Sequence, residues 1–91
     1  MTEEKFRESL ISSGFRECPA GDGYTLYERD GNYIFAYQDY IAESSTGCGW
    51  KYSYSDIRLV RSRKGWFEIE MADGSSLTLE KEDEMEIGCM G

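Results

Sequence analysis

Tyr24-Thr25-Leu26-Tyr27-Glu28-Arg29-Asp30-Gly31-Asn32-Tyr33-Ile34-Phe35-Ala36-Tyr37 decides the fold. Asp30-Gly31 is the strongest hairpin signal in the chain, because a type I′ turn needs positive φ that Asp and Gly tolerate. Before the turn, Tyr24 and Leu26 share one face and Thr25 and Tyr27 the other. After it, Tyr33, Phe35 and Tyr37 alternate with Ile34, Ala36 and Gln38, and the period of two predicts one long strand from Asn32 to Ala42. Both faces of that run are apolar, which predicts a central strand covered on one side by a helix.

Toward the C-terminus, Glu43–Gly49 is a loop of small polar residues. Trp50, Tyr52 and Tyr54 are then predicted on one face of a strand, with Lys51, Ser53 and Ser55 opposite. Ile57–Ser62 reads as a further strand, with Ile57 and Leu59 on one face and Arg58 and Val60 on the other. Arg63-Lys64-Gly65 turns the chain into Trp66–Met71, the cleanest amphipathic strand, with Phe67, Ile69 and Met71 inward and Glu68 and Glu70 outward. Asp73-Gly74 turns again into Leu77 and Leu79.

Toward the N-terminus, Phe15–Cys18 is predicted as a short strand stopped by Pro19 and the turn Gly21-Asp22-Gly23. Residues 2–13 read as a short helix. Thr2 suits the N-cap, Glu3 and Glu4 the positive end of the dipole, and Gly14 the C′ position. Phe6, Leu10 and Ile11 make a narrow apolar stripe that must dock on something, since a helix this short is marginal alone. The predicted fold is α+β: a short N-terminal helix packed on an antiparallel sheet of five to six strands. Residues 1–80 are expected to form a single domain and residues 81–91 an acidic C-terminal tail, with Met85, Ile87 and Met90 as its few apolar residues.

The succession Tyr54-Ser55-Asp56-Ile57, Gly65-Trp66 and Asp73-Gly74 resembles strand-and-turn runs of bacterial pleckstrin-homology-like domains, over residues 54–74 only. The C-terminal helix typical of those domains has no counterpart in this sequence. What the resemblance implies is a regulatory or ligand-binding module. It identifies no family membership.

Composition excludes several classes of function. The 91 residues carry 18 acids against 10 bases, a net charge of −8, so a protein that coats nucleic acid is not expected. Aromatics at 14% and hydrophobic residues at 40% set the chain apart from disordered acidic tails, which bury too little apolar surface to fold. No run of 18 apolar residues is present, so no membrane-spanning helix is expected, and Met1-Thr2-Glu3-Glu4-Lys5 is not the start of a secretory signal. The three cysteines, Cys18, Cys48 and Cys89, are an odd number without a C-x-x-C pair, which predicts free thiols in a reducing, cytoplasmic compartment. Cys48, bracketed by glycines in Thr46-Gly47-Cys48-Gly49, is the one thiol placed for reactivity, yet no base to activate it is identifiable. With no histidine, no Ser-His, Cys-His or His-metal arrangement can form within the chain, so no catalytic centre, cofactor or metal is predicted.

The charge is segregated. Residues 1–50 hold nine acids and four bases, residues 51–64 one acid and five bases, and residues 65–91 eight acids and one base. Two surfaces follow. Arg58, Arg61, Arg63 and Lys64 form a basic hairpin that would bind an anion, or would instead pair with Glu68 and Glu70 across the hairpin. Glu80, Glu82, Asp83, Glu84 and Glu86 form an acidic run that would imitate the spaced charges of nucleic acid and occupy a basic groove on a partner. Its plainer role is to keep the protein soluble. The aromatic residues Tyr33, Tyr37, Trp50, Tyr52 and Tyr54 suit an interface core, and Tyr40 adds to the surplus.

The expectation is therefore a non-enzymatic protein-binding module whose partner has a basic surface. In size and charge it is similar to small phage-encoded inhibitors of host nucleases, anti-CRISPR proteins among them, a likeness with no motif behind it. The alternative is a pleckstrin-like module using the basic hairpin and the aromatic face. A homodimer through an edge strand is also expected.

Overall fold

The computed structural model describes residues 1–20 and 23–81. The fold is α+β. It has one short N-terminal helix, α1 (Glu3–Ser12), and two antiparallel sheets. The first holds five strands in chain order: β1 (Arg16–Ala20), β2 (Tyr24–Arg29), β3 (Asn32–Ala36), β4 (Tyr40–Ala42) and β5 (Lys51–Ser53). A single 3₁₀ turn, Tyr54–Asp56, leads to the second sheet of β6 (Ile57–Arg63), β7 (Trp66–Met71) and β8 (Ser76–Glu80). The Gly21-Asp22 part of the first predicted turn and the tail beyond Lys81 lie outside the described residues.

The deciding hairpin forms as its turn chemistry requires. Arg29 pairs with Asn32 across Asp30 and Gly31, whose φ angles are 54° and 87°. Positive φ at both central residues gives the turn the twist of the flanking strands. Thr2 caps α1, its hydroxyl accepting from the Lys5 N–H at 3.2 Å.

Four features differ from the sequence expectation. The expected five to six strands are found as a five-stranded sheet, and three further strands make a separate sheet because the 3₁₀ turn breaks the ladder between β5 and β6. The long strand ends at Ala36: the Tyr37 N–H donates to the Tyr40 carbonyl at 2.8 Å, and Gln38-Asp39 turn the chain back as β4. Pro19 lies within β1, opposite Thr25, which is tolerated because β1 is a sheet edge. A bulge between Ile57 and Leu59 reverses the alternation along β6. Ile57 opposes Met71, Val60 opposes Ile69 and Ser62 opposes Phe67, so Val60 replaces Leu59 on the core side.

One core joins helix and both sheets. Phe6 and Leu10 of α1 meet Tyr27, Ile34, Ala36 and Ile41 of the first sheet and Ile57, Phe67, Ile69 and Met71 of the second. The Phe15 ring meets Phe67 edge-on, with centroids 4.8 Å apart, and Phe6 lies 5.8 Å from Tyr54. Such pairs add about 0.5–1.5 kcal/mol to the burial itself. Polar bonds close the ends. Arg29 donates to the Ser62 hydroxyl at 2.8 Å and to the Arg63 carbonyl, and the Asn32 amide donates to the Glu80 carbonyl at 3.0 Å.

Tyr54 is 5% exposed, and its hydroxyl donates to the Tyr37 carbonyl at 2.8 Å. Burial holds its proton, so that its pKa is pushed up to about 12. The unfolded chain releases that proton at about pH 10, before the folded one does. Stability should therefore fall as pH rises from about 10 to 12, by about 2–3 kcal/mol from this group. Tyr54→Phe is expected to cost about 1–2 kcal/mol at neutral pH, through the lost hydrogen bond. Its deficit against wild type should shrink across that alkaline window. Urea titrations at several pH values check this, and a constant deficit would contradict it.

Candidate functional site

The outer face of the five-stranded sheet is set by cross-strand register. Residues directly opposite one another share a face. Cys18 opposes Leu26, Leu26 opposes Phe35, Phe35 opposes Ala42 and Ala42 opposes Lys51, making one row across all five strands. A second row, one pleat step along, carries Tyr24, Tyr37 and Tyr40. The opposite face carries Tyr27, Ile34, Ala36 and Ile41 into the core.

The outer rows are aromatic and their rings touch. Tyr24 lies 5.3 Å from Phe35 and 5.2 Å from Tyr37, and Tyr37 stacks on Tyr40 at 4.6 Å with 14° between planes. The Lys51 ammonium sits 4.3 Å above the Tyr40 ring, a cation–π contact that fixes the end of the cluster. Tyr33, 50% exposed, stands opposite Glu28 on the same face. A hollow of about 220 Å³ opens where Tyr37, Tyr40 and Trp50 meet the Ser44–Gly47 loop. Neighbouring tyrosines and burial raise the Tyr37 hydroxyl pKa, burial being the larger cause. The Tyr37 hydroxyl is therefore a neutral donor at physiological pH.

The loop that walls the hollow is held by Glu43. Its carboxylate accepts from the Trp50 N–H at 3.2 Å, and its own N–H donates to the Trp50 carbonyl at 2.9 Å. Gly49 has φ 89°, and a side chain there would overlap the Glu43 carboxylate. Ser44 donates to the Cys48 carbonyl at 2.9 Å, which leaves the exposed Cys48 at the loop tip. Among the described residues, no group of acidic or cysteine side chains is placed to hold a metal ion.

The predicted site residues divide among several places. Tyr33 and Tyr37 lie on the outer face. Trp50 stacks on Tyr52 at 5.7 Å, and both pack against the core rim, with Tyr52 opposite the buried Ile41. Tyr54, at the start of the 3₁₀ turn, is buried in the core. Tyr24, Phe35 and Tyr40 complete the outer cluster. For Tyr24 and Phe35, parity relative to Tyr33 and Tyr37 was the signal that could have singled them out, whereas Tyr40 reaches this face only through the Gln38-Asp39 turn.

The basic hairpin pairs internally. Arg61 makes bonds of 3.1 Å to Glu68 and 2.8 Å to Glu70, which together raise its pKa, and Arg58 lies 3.4 Å from Glu70. Arg63 stacks over the Trp66 ring at 5.3 Å, and Lys64 is exposed in the turn. Glu80 is exposed at the end of β8, while Glu82, Asp83, Glu84 and Glu86 lie outside the described residues. No helix among the described residues is long and apolar enough to cross a membrane. Comparison with protein-family models, with curated proteins and with solved structures finds no match, so the functional reading rests on the geometry of this chain.

Proposed function

We propose that the protein is a non-enzymatic binding module whose outer sheet face docks a partner protein with a basic surface. The observation that carries this reading is the run of touching rings Tyr24, Phe35, Tyr37 and Tyr40 on the sheet face turned away from the core. Tyrosine supplies large contact area with little rotamer freedom to lose, and it is enriched where interfaces are most buried. The half-exposed Tyr33 extends the same face.

Charge supports the nature of the partner. The net charge is −8, and Arg58 and Arg61 are already matched by Glu68 and Glu70. A partner therefore meets the acid excess. Exposed Asp39 and Glu43 stand beside the aromatic cluster, in the β3–β4 turn and the loop after β4. The most concrete form of the reading is an inhibitor that occupies the basic groove of a nucleic-acid-handling protein, as anti-CRISPR proteins do, with Glu80, Glu82, Asp83, Glu84 and Glu86 imitating phosphates. The internal pairing of the hairpin weighs against the anion-binding alternative.

Charge replacement tests the reading. Glu82→Gln, Asp83→Asn and Glu84→Gln together should weaken retention of the partner on immobilised protein. Raising salt from about 0.05 to 0.5 M should do the same, since screening shortens from about 14 Å to about 4 Å. A retained partner that is neutral or acidic, and whose binding ignores salt, would refute it.

A further inference from the structure

The four sheet edges are not equally protected. β1 carries Pro19 and the charged Arg16 and Glu17, both deterrents to added strands. β5 is only three residues long. β6 is bulged, and the Met1 ammonium donates to its Ile57 carbonyl at 2.9 Å. β8, Ser76-Leu77-Thr78-Leu79-Glu80, is the last strand of its sheet among the described residues and has no proline, lysine or bulge.

The direction of its backbone groups follows from two turn bonds. The Met71 N–H donates to the Ser75 carbonyl at 2.7 Å, and the Lys81 N–H donates to the Gly65 carbonyl at 2.9 Å. In one antiparallel register this turns residues 75, 77, 79 and 81 toward β7, and turns Ser76, Thr78 and Glu80 outward with both N–H and C=O. The Asn32 amide already uses this outward row by donating to the Glu80 carbonyl. Leu77 and Leu79 are only partly buried at the rim of the core.

We infer that β8 pairs antiparallel with β8 of a second copy of this chain, about a two-fold axis at Thr78. The strand is self-complementary in that register. Thr78 faces Thr78, each Ser76 faces a Glu80, and each Leu77 faces a Leu79 on the core side. Apart from the Glu80 carbonyls, which the Asn32 amides occupy, the pairing forms up to about four main-chain hydrogen bonds and joins the two three-stranded sheets into one of six. No like charges stand opposite each other. The two Glu80 side chains lie four strand positions apart, about 13 Å at about 3.3 Å per residue, beyond the screening length of about 8 Å at physiological salt. The remaining opposition is the net −8 of each copy. Self-association therefore strengthens with salt, whereas binding to a basic partner weakens with it, so the two readings fail separately.

Sedimentation of the full chain over a concentration series, at about 0.05 and 0.5 M salt, tests the pairing. The expected result is a monomer–dimer equilibrium that tightens several-fold at the higher salt. Thr78→Pro removes an outward N–H while sparing the ladder to β7, and should weaken the dimer at least tenfold with the melting temperature little changed. Thr78→Lys, which places two ammonium groups face to face, should do the same and keeps the test open if the proline variant folds poorly. A protein that stays monomeric throughout, or a dimer that survives both substitutions, would overturn the inference.

Discussion

Phe67→Ala is expected to cost about 3–5 kcal/mol and lower the melting temperature by at least about 12 °C. Phe67 is 1% exposed near the start of β7, the central strand of its sheet, opposite both Ser62 and Leu79, and edge-on to Phe15. It is the point where the segment after α1 and the three-stranded sheet meet. Removing the ring leaves a cavity lined by residues held in separate elements, which cannot collapse without moving a sheet. Net stabilities of domains this size are about 5–15 kcal/mol, so the variant should be partly unfolded at 37 °C. Phe67→Leu keeps most of the volume and should cost much less. Denaturant titrations followed by near- and far-UV circular dichroism check both. A loss below about 1 kcal/mol for Phe67→Ala would show that the two sheets do not share a core.

Arg29→Ala is expected to cost about 2–3 kcal/mol, large for a polar residue near a hairpin tip. Its side chain is 12% exposed and bridges the two sheets. One nitrogen donates to the Ser62 hydroxyl and another to the Arg63 carbonyl, while Asp30 lies 3.4 Å away and the Phe15 ring 5.9 Å below. Hydrogen bonds to a charged group contribute about 1.5–3 kcal/mol, and the stem packs as well. Arg29→Lys should recover less than half, because an ammonium cannot reach both acceptors with the fixed fork of a guanidinium. By contrast, Arg61→Ala removes a more exposed pair of contacts and should cost about 1 kcal/mol or less. Equal effects of Arg29→Ala and Arg61→Ala would contradict the bridging role.

Much of the local structure was legible in the residues. Asp30-Gly31 announced its turn, Thr2 its cap, and the alternation of Phe67, Ile69 and Met71 its buried face. What was not legible depended on events of one or two residues. Gln38-Asp39 carry no glycine or proline, so the turn that separates β3 from β4 was hidden inside a periodic run. The bulge after Ile57 exchanges Leu59 for Val60, a choice between two aliphatic residues that periodicity cannot make. The 3₁₀ turn that begins at Tyr54 splits the sheet, and the period of two in Trp50, Tyr52 and Tyr54 gave no sign of it. The ladder explains the uneven outcome for the site. Tyr33 and Tyr37 share a face with Tyr24, Phe35 and Tyr40 because one continuous ladder sets their parity, whereas Tyr52 opposes Ile41 on the core face and Trp50 and Tyr54 keep its parity. Pairing of Arg58 and Arg61 with Glu68 and Glu70 was foreseeable from the hairpin itself, since cross-strand neighbours follow from turn position.

The central claim is that the outer aromatic face of the five-stranded sheet is what meets the partner. The most direct measurement is the affinity of the purified partner for wild type and for Tyr33→Ser, Tyr37→Ser, with melting temperatures taken alongside. Buried interface tyrosines each carry about 2 kcal/mol or more when they are hot spots. The predicted result is a loss of at least tenfold in affinity with the fold retained. Unchanged affinity in a folded double variant would contradict the claim and move the interface elsewhere on the molecule.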